Sequence, residues 1–320
     1  MSQAIFAMFL CLFASIILEP PRTPEERAVA YLAHEVPAWF TKNKCHSCHN
    51  NGDAARALYM AKRLKIDVPA KALTETSSWL ARPKGWVHNG GEGPFNDKVL
   101  SSIQFAAALA DALEAGVIED RDALKQAAQL VADTQAKDGH WQIGDGASLG
   151  SPATLGDCLG TVFARRILHT ADAKKYQEGI AAADRWLRRL KVKNVLDSAA
   201  LLWGLADAKD TEASAQRKHC LSLIRKGEAK DGGWGPYVNS APETFDTAAV
   251  MLALVRQKDR DEYADMLRRG RTFLLATQQE DGSWTETTRP SGGDSYAQRV
   301  STTGWATQAL LATRRDIIPK

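Results

Sequence analysis

Apolar positions recur at helical spacing along most of this chain. Amphipathic runs at 123–134 (ALKQAAQLVADT), 217–227 (RKHCLSLIRKG) and 264–277 (ADMLRRGRTFLLAT) each carry one apolar face. Each is followed by a short turn signature: Gln135 to Trp141, Glu228 to Trp234, and Gln279 to Trp284, sharing Asp-Gly-x-Trp. A loop rich in Gly, Pro, Ser and Thr comes next. A second helix of small and aliphatic residues then follows: LGDCLGTVFARRIL at 155–168, ETFDTAAVMLALVR at 243–256 and VSTTGWATQALLAT at 300–313. The unit is helix, Asp-Gly-x-Trp turn, loop, helix. Gly is expected to end the first helix by taking a left-handed backbone. The neighbouring Asp is expected to bond local backbone donors, and the Trp to bury its ring between helices.

Weaker copies fill the remaining chain. The pattern predicts six helix pairs, at about 27–66, 70–116, 121–169, 173–208, 213–258 and 261–314. A helix pair cannot bury its apolar face alone and must stack on its neighbours. Six pairs can close into a ring, so the expected fold is an all-α (α/α)6 toroid, a double ring of helix pairs forming a single domain over residues 25–316. Small residues in the second helices (Gly160, Ala199, Ala200, Ala248, Ala249, Gly304) suit a crowded inner ring. No strand pattern of useful length competes.

Residues 4–18 read AIFAMFLCLFASIIL, without charge, and have the length of a signal-peptide core rather than of a membrane span. Residues 1–18 are therefore expected to direct export to the periplasm or another extracytoplasmic space. Membrane association would arise only if this segment were retained. The segment Met1-Ser2-Gln3 carries no Lys or Arg, and an uncleaved anchor is the alternative. A formal net charge of +3, with no dense basic cluster, gives no argument for nucleic acid. The Arg165-Arg166, Arg188-Arg189 and Arg268-Arg269 pairs read as solvated faces.

Of the five cysteines, Cys158 and Cys220 fall in helical patterns as small core residues. Cys45-His46-Ser47-Cys48-His49 is different. It is C-x-x-C-H, the pattern of covalent c-type haem attachment. Two thiols at that spacing reach the two vinyl groups of one haem, and the next His is placed to bind the iron. Cys45, Cys48 and His49 are thus the candidate haem c residues, with His49 as the iron ligand. A C-x-x-C disulfide and a zinc site are the alternatives. Met60 and His88 are weak candidates for a sixth iron ligand, and His140 and Tyr237 flank the same mouth of the ring.

The segment Arg269 to Trp284, RGRTFLLATQQEDGSW, resembles the QW repeat of squalene–hopene and oxidosqualene cyclases. The copies ending at Trp141 and Trp234 match less closely, the latter with Glu228 in place of Gln. The related protein prenyltransferase β subunits share the toroid. The resemblance covers about 120–316 well and 25–120 loosely, and implies the fold rather than the reaction. Class II cyclases carry the proton donor in D-x-D-D-T-A. The matching stretch is Glu243-Thr244-Phe245-Asp246-Thr247-Ala248, with Phe245 where the donor Asp belongs, and a phenyl ring donates no proton. Asp157, Asp197 and Asp246 all open second helices and are expected to act as N-caps. The prenyltransferase zinc set of Asp, Cys and a distant His is not matched by the adjacent Asp157-Cys158.

Three functions follow. The first is an exported toroid with a covalent c-type haem, in electron transfer with a redox partner protein or in ligand binding. The second is a non-catalytic toroid that binds an isoprenoid or other apolar small molecule in its central cavity, or a protein partner. The third is an enzyme of the squalene-cyclase type, or a glycan-active one using two carboxylates from Asp157, Asp246 and Asp294.

Overall fold

The computed structural model describes residues 22–88, 97–144, 149–289 and 292–314. The apolar run at 4–18 lies outside them. Among the described residues no helix is long and apolar enough to cross a membrane, and the only ladder-type pairing is one isolated bridge between Glu228 and Trp234.

Among the described residues, twelve α-helices form six consecutive pairs: α1 (Pro24–Asn43) with α2 (Ala55–Arg63), α3 (Thr74–Leu80) with α4 (Lys98–Glu114), α5 (Arg121–Ala132) with α6 (Gly156–Asp172), α7 (Gln177–Arg189) with α8 (Val195–Gly204), α9 (Thr211–Gly227) with α10 (Thr244–Val255), and α11 (Ala264–Thr277) with α12 (Tyr296–Ala312). The second helices pack in order, α2 on α4, α4 on α6, α6 on α8, α8 on α10, α10 on α12, and α12 back on α2. That closes the inner ring, as the repeat pattern predicts. Close approach depends on small residues. A Cβ on Gly304 of α12 would stand 2.8 Å from the Ala54 Cα just before α2.

The repeated turn explains how the rings are joined. Trp141, Trp234 and Trp284 are fully buried. Each indole N–H donates to a carbonyl ten residues earlier: Val131 at 2.7 Å, Ile224 at 2.8 Å and Leu274 at 2.8 Å. Each Trp backbone N–H donates to a threonine hydroxyl on its inner helix: Thr161, Thr247 and Thr303. One side chain thereby fastens outer helix to inner helix.

A second set of bonds fastens each turn to the next pair. Gln135 donates to the Gly139 and Gly179 carbonyls, and Gln278 to the Gly282 and Pro24 carbonyls. The structural counterpart of Gln135 is therefore Gln278, four residues before the turn glycine, and not Gln279. Glu228 occupies that place in the other clear repeat and pairs with Arg269 of α11 at 2.5 and 2.9 Å. Gln and Glu do one job here, reaching the next outer helix. Because Arg269 is half exposed, Glu228→Ala is expected to cost no more than about 1 kcal/mol, seen as a small fall in the thermal unfolding midpoint.

The turn glycines have positive φ, 104° at Gly139, 87° at Gly232 and 93° at Gly282. The preceding helices end at Ala132, Gly227 and Thr277, so these glycines shape the turn rather than terminate the helix. Asp138, Asp231 and Asp281 accept the backbone N–H two residues on, as expected.

The ring axis is filled midway along its length. Phe163 of α6 lies 5.8 Å from Trp305 of α12, across the ring. Trp203 and Phe245 pack on Trp305 at 6.3 and 5.2 Å, and the Arg56 guanidinium covers Phe163 at 4.6 Å. This aromatic plug separates two mouths, one where the inner helices start and one where they end.

Candidate functional site

The Cys-x-x-Cys-His segment takes the place of an Asp-Gly-x-Trp turn in the first pair. α1 ends at Asn43, with Lys44 left-handed at φ 59°. The chain then turns inward into a π-helical run, Cys48–Ala54, that continues into α2. Ser47 caps the run by accepting from the His49 and Asn50 N–H groups. Asn51 accepts from the Ser47 N–H and donates to Thr76 and to the Val36 carbonyl. Asn50 donates to the Glu35 carbonyl and to the Tyr296 hydroxyl. Two asparagines thus pin the segment to α1, α3 and α12. π turns are rare and are frequent at functional sites.

The segment is well inside the protein. His46 is stacked on Trp79 at 4.0 Å, lies 4.8 Å from Phe40, and meets Glu75 at 2.5 Å. It is a packing residue. The Cys45 sulfur accepts from the Trp39 indole N–H at 3.3 Å. Cys45 and Cys48 are not joined in a disulfide. Burial, and then the nearby Asp53 carboxylate, push the Cys48 thiol up to about 12. Burial lowers His49 to about 4. At neutral pH both thiol and imidazole are therefore uncharged. A neutral imidazole is the form that ligates iron, and His49 Nδ1 is buried with no partner among the described residues. In its donor chemistry the segment fits a covalently attached haem. Among the described residues no group of three or more His, Cys, Asp or Glu side chains is arranged to hold a bare metal ion, which leaves the zinc alternative without a ligand set there.

Behind the motif lies a group of polar side chains that the sequence reading passed over. Asp53, Arg56 and Gln104 are 1, 2 and 1% exposed. Asp53 accepts from the Trp305 indole at 2.9 Å. Burial raises its pKa to about 6, while Arg56, Trp305, Gln104 and Ser301 hold it down. Asp53 Oδ1, Arg56 Nη1, both Gln104 amide atoms, Ser301 Oγ and Asn50 Oδ1 make no full hydrogen bond among the described residues. So dense a set of unsatisfied buried atoms is unusual. The signal that would have found them is the apolar face of the helix at 50–63, which Asp53 and Arg56 interrupt on the inner side.

The capping expectation is corrected. The side-chain caps of α4, α8 and α12 are Asp97, Asn194 and Ser295, while α6 and α10 have none. Asp157 accepts from the Ile143 N–H and lies 3.8 Å from His140. Asp197 accepts from the Asn194 amide. Asp246 is fully buried, with Arg289 donating to both of its oxygens at 2.9 and 3.1 Å. Arg289 also reaches Glu243 at 2.6 Å and the Gly150 carbonyl at 2.9 Å. Burial raises Asp246 to about 7 against the pull of Arg289. Phe245 is buried against Trp305.

The other candidates scatter. Met60 lines the mouth where the inner helices end, eleven residues or about 16 Å along one helical run from His49. The side chain of His88 lies outside the described residues. His140 stacks on Trp186, and the exposed Tyr237 shares a groove with Asp157 and Asp197. Asp294 sits apart from these, in a surface groove with Glu286 and Tyr296.

Residues 198–317 match the family model of the squalene-hopene cyclase C-terminal domain. No curated protein sequence matches the chain. Among solved structures it is similar to a variant of the type II terpene cyclase MstE from Scytonema, in complex with its substrate geranylgeranyl dihydroxybenzoate. That likeness has a TM-score of 0.55, 12% identity, and 91% of this chain and 98% of that one covered. It is similar to the ent-copalyl diphosphate synthase of Streptomyces platensis, at TM-score 0.54 and 17% identity, covering 82% and 50%. It is also similar to a possible member of the GH105 family from Klebsiella pneumoniae, at 0.57 and 10%, covering 97% and 98%. At such identities these likenesses establish the α/α toroid fold, which holds more than one chemistry.

Proposed function

We propose that this toroid is an exported protein that carries a covalent c-type haem on Cys45 and Cys48, with His49 as the iron ligand, and that works in electron transfer or ligand binding. The observation that carries the reading is His49 itself: it completes a C-x-x-C-H motif, is half-buried, stays uncharged at neutral pH and has its Nδ1 buried without a partner among the described residues. Bound there, a haem would supply a one-electron couple and an iron able to take a further ligand. The chain's own residues do the positioning. Trp39 orients the Cys45 sulfur, Ser47 sets the first turn that presents Cys48 and His49, and Asn50 and Asn51 hold that turn against α1 and α12. The Cys48 thiol, pushed up to about 12, stays protonated at neutral pH.

The cyclase reading gains little from the same site. Phe245 stands where the donor would be, and Asp246 spends both oxygens on Arg289, holding the 285–289 strand of chain against α10. The carboxylate is a positioning group.

The test is a pyridine-haemochrome spectrum of protein made in a host with active cytochrome c maturation. A c-type band that resists acid-acetone extraction is expected, and it should be lost completely in the double variant Cys45→Ala, Cys48→Ala. A haem-free product under those conditions would sink the reading.

A further inference from the structure

The mouth where the inner helices end holds a cavity that the haem reading does not use. It measures about 310 Å³ and is lined by residues of all six inner helices, so it lies on the ring axis. The size is at the lower end for small-molecule pockets, ~300–1,000 Å³. Its lining mixes apolar side chains, Met60, Trp203, Leu252, Val255 and Ala312, with four guanidinium groups, Arg56, Arg63, Arg166 and Arg256, against two carboxylates, Asp111 and Glu114.

Those carboxylates are already shared. Asp111 takes Arg56 at 2.7 Å and Arg166 at 3.4 Å. Glu114 takes Arg166 at 3.2 Å and also Arg63. Arg256 has no carboxylate within ion-pair distance among the described residues. Its guanidinium lies 5.4 Å from the Trp203 ring centre, and burial and then the like charge of Arg166 disfavour its charged form. Arg56 is 2% exposed and gives its Nε to Asp111, while its Nη1, 3.9 Å from Asp53, has no hydrogen-bond partner among the described residues.

Helix polarity accounts for part of this charge. Arg63 ends α2 and Arg256 caps α10, where cations suit the helix dipole. Arg56 lies inside the continuous helical run from Cys48 to Arg63, and Arg166 lies mid-helix in α6, so the dipole accounts for neither. Arg165 and Arg166, expected as a solvated pair, are both half-buried: Arg165 pairs with Asp184, and Arg166 faces the axis.

We infer that this mouth binds a small amphiphilic anion, a carboxylate or phosphate head between Arg166 and Arg256 with a short apolar body against Trp203, Leu252 and Val255. Four guanidinium groups against two carboxylates leave an excess of positive charge for the head, and the apolar side chains of the same lining receive the body. The haem reading stands or falls separately, because no residue of 45–49 touches this cavity.

Calorimetric titration with hexyl phosphate and hexanoate tests it, beside inorganic phosphate and 1-hexanol. One alkyl anion at least should bind saturably at one site and weaken as salt rises, while phosphate alone and hexanol bind at least tenfold more weakly. Arg256→Gln should weaken the alkyl anion at least tenfold with an unchanged unfolding midpoint, and Val255→Trp should fill the cavity and abolish binding. No saturable binding of either alkyl anion, hexanol binding as tightly as they do, or indifference to both substitutions would overturn the inference.

Discussion

Arg289→Ala is expected to destabilise the fold by about 3–5 kcal/mol at pH 8–9, the usual cost of removing one member of a buried ion pair, and by only about 1–3 kcal/mol at pH 5, where hydrogen bonds alone are lost. The sign follows from Asp246. Burial raises its pKa in the folded protein from 3.8 to about 7. A raised carboxyl pKa means that the folded state holds the proton more tightly than the unfolded chain. Its contribution is fully favourable below about pH 4 and is lost as pH rises through about 7. In the variant no guanidinium opposes the rise, so the loss continues beyond pH 7, and the gap from wild type opens there. Asp53, raised to about 6, adds a slope of its own in both proteins, which cancels in the difference. Asp246→Asn should remove the slope assigned to Asp246. Urea unfolding at pH 5, 7 and 9 gives the three numbers. A penalty that does not grow with pH would mean that Asp246 is charged throughout and that the Arg289 pair is an ordinary one.

Much of this architecture is legible in the chain because it is repeated. Helical spacing gives the pairs, and Asp-Gly-x-Trp recurs because the same bonds from Trp to a carbonyl and to a Thr hydroxyl are made each time. What repeats can be aligned. What joins distant parts of the chain cannot. Arg289 meets Asp246 across 43 residues and Trp305 meets Asp53 across 252, and no local pattern marks either pair. The capping expectation failed for a related reason. An acid in the first turn suits the helix dipole whether or not it caps, so Asp157, Asp197 and Asp246 have the right position for several roles, and tertiary partners chose among them. Gln278 and Gln279 are alike in sequence, while Gln278 is the one that reaches α1. The C-x-x-C-H motif is legible as chemistry, but the polar group behind it is assembled from Asp53, Arg56, Gln104 and Ser301 on three inner helical runs, and no local pattern joins them.

Gly282→Ala is expected to cost roughly 2–6 kcal/mol, combining a strained left-handed backbone of ~1–3 kcal/mol with overpacking of ~1–3 kcal/mol. Its Cβ would stand 2.4 Å from the Arg27 carbonyl oxygen and 2.5 Å from the Arg27 carbonyl carbon, and neither is the end of a flexible side chain. Gly139 meets the backbone of Ala182 in α7 and Gly232 that of Arg269 in α11 in the same manner. The glycine of each turn is thus the seat of the next outer helix. Gly282 differs because the next helix is α1, so the contact closes the ring. Gln278 reinforces it through the Pro24 carbonyl and the Arg27 guanidinium. In a stack of repeats each unit is held by its neighbours, and an end unit that loses one neighbour frays first. Hydrogen exchange should therefore rise most in α1 amides, ahead of α7 or α9. Gly116→Ala is the control: it has a similar φ of 66° but nothing within 4 Å of its Cβ, so it should cost only about 1–2 kcal/mol of left-handed strain and leave α1 protected. If Gly282→Ala exchanged no faster in α1 than Gly116→Ala, the closing contact would carry no weight, and the ring would be held by its inner helices alone.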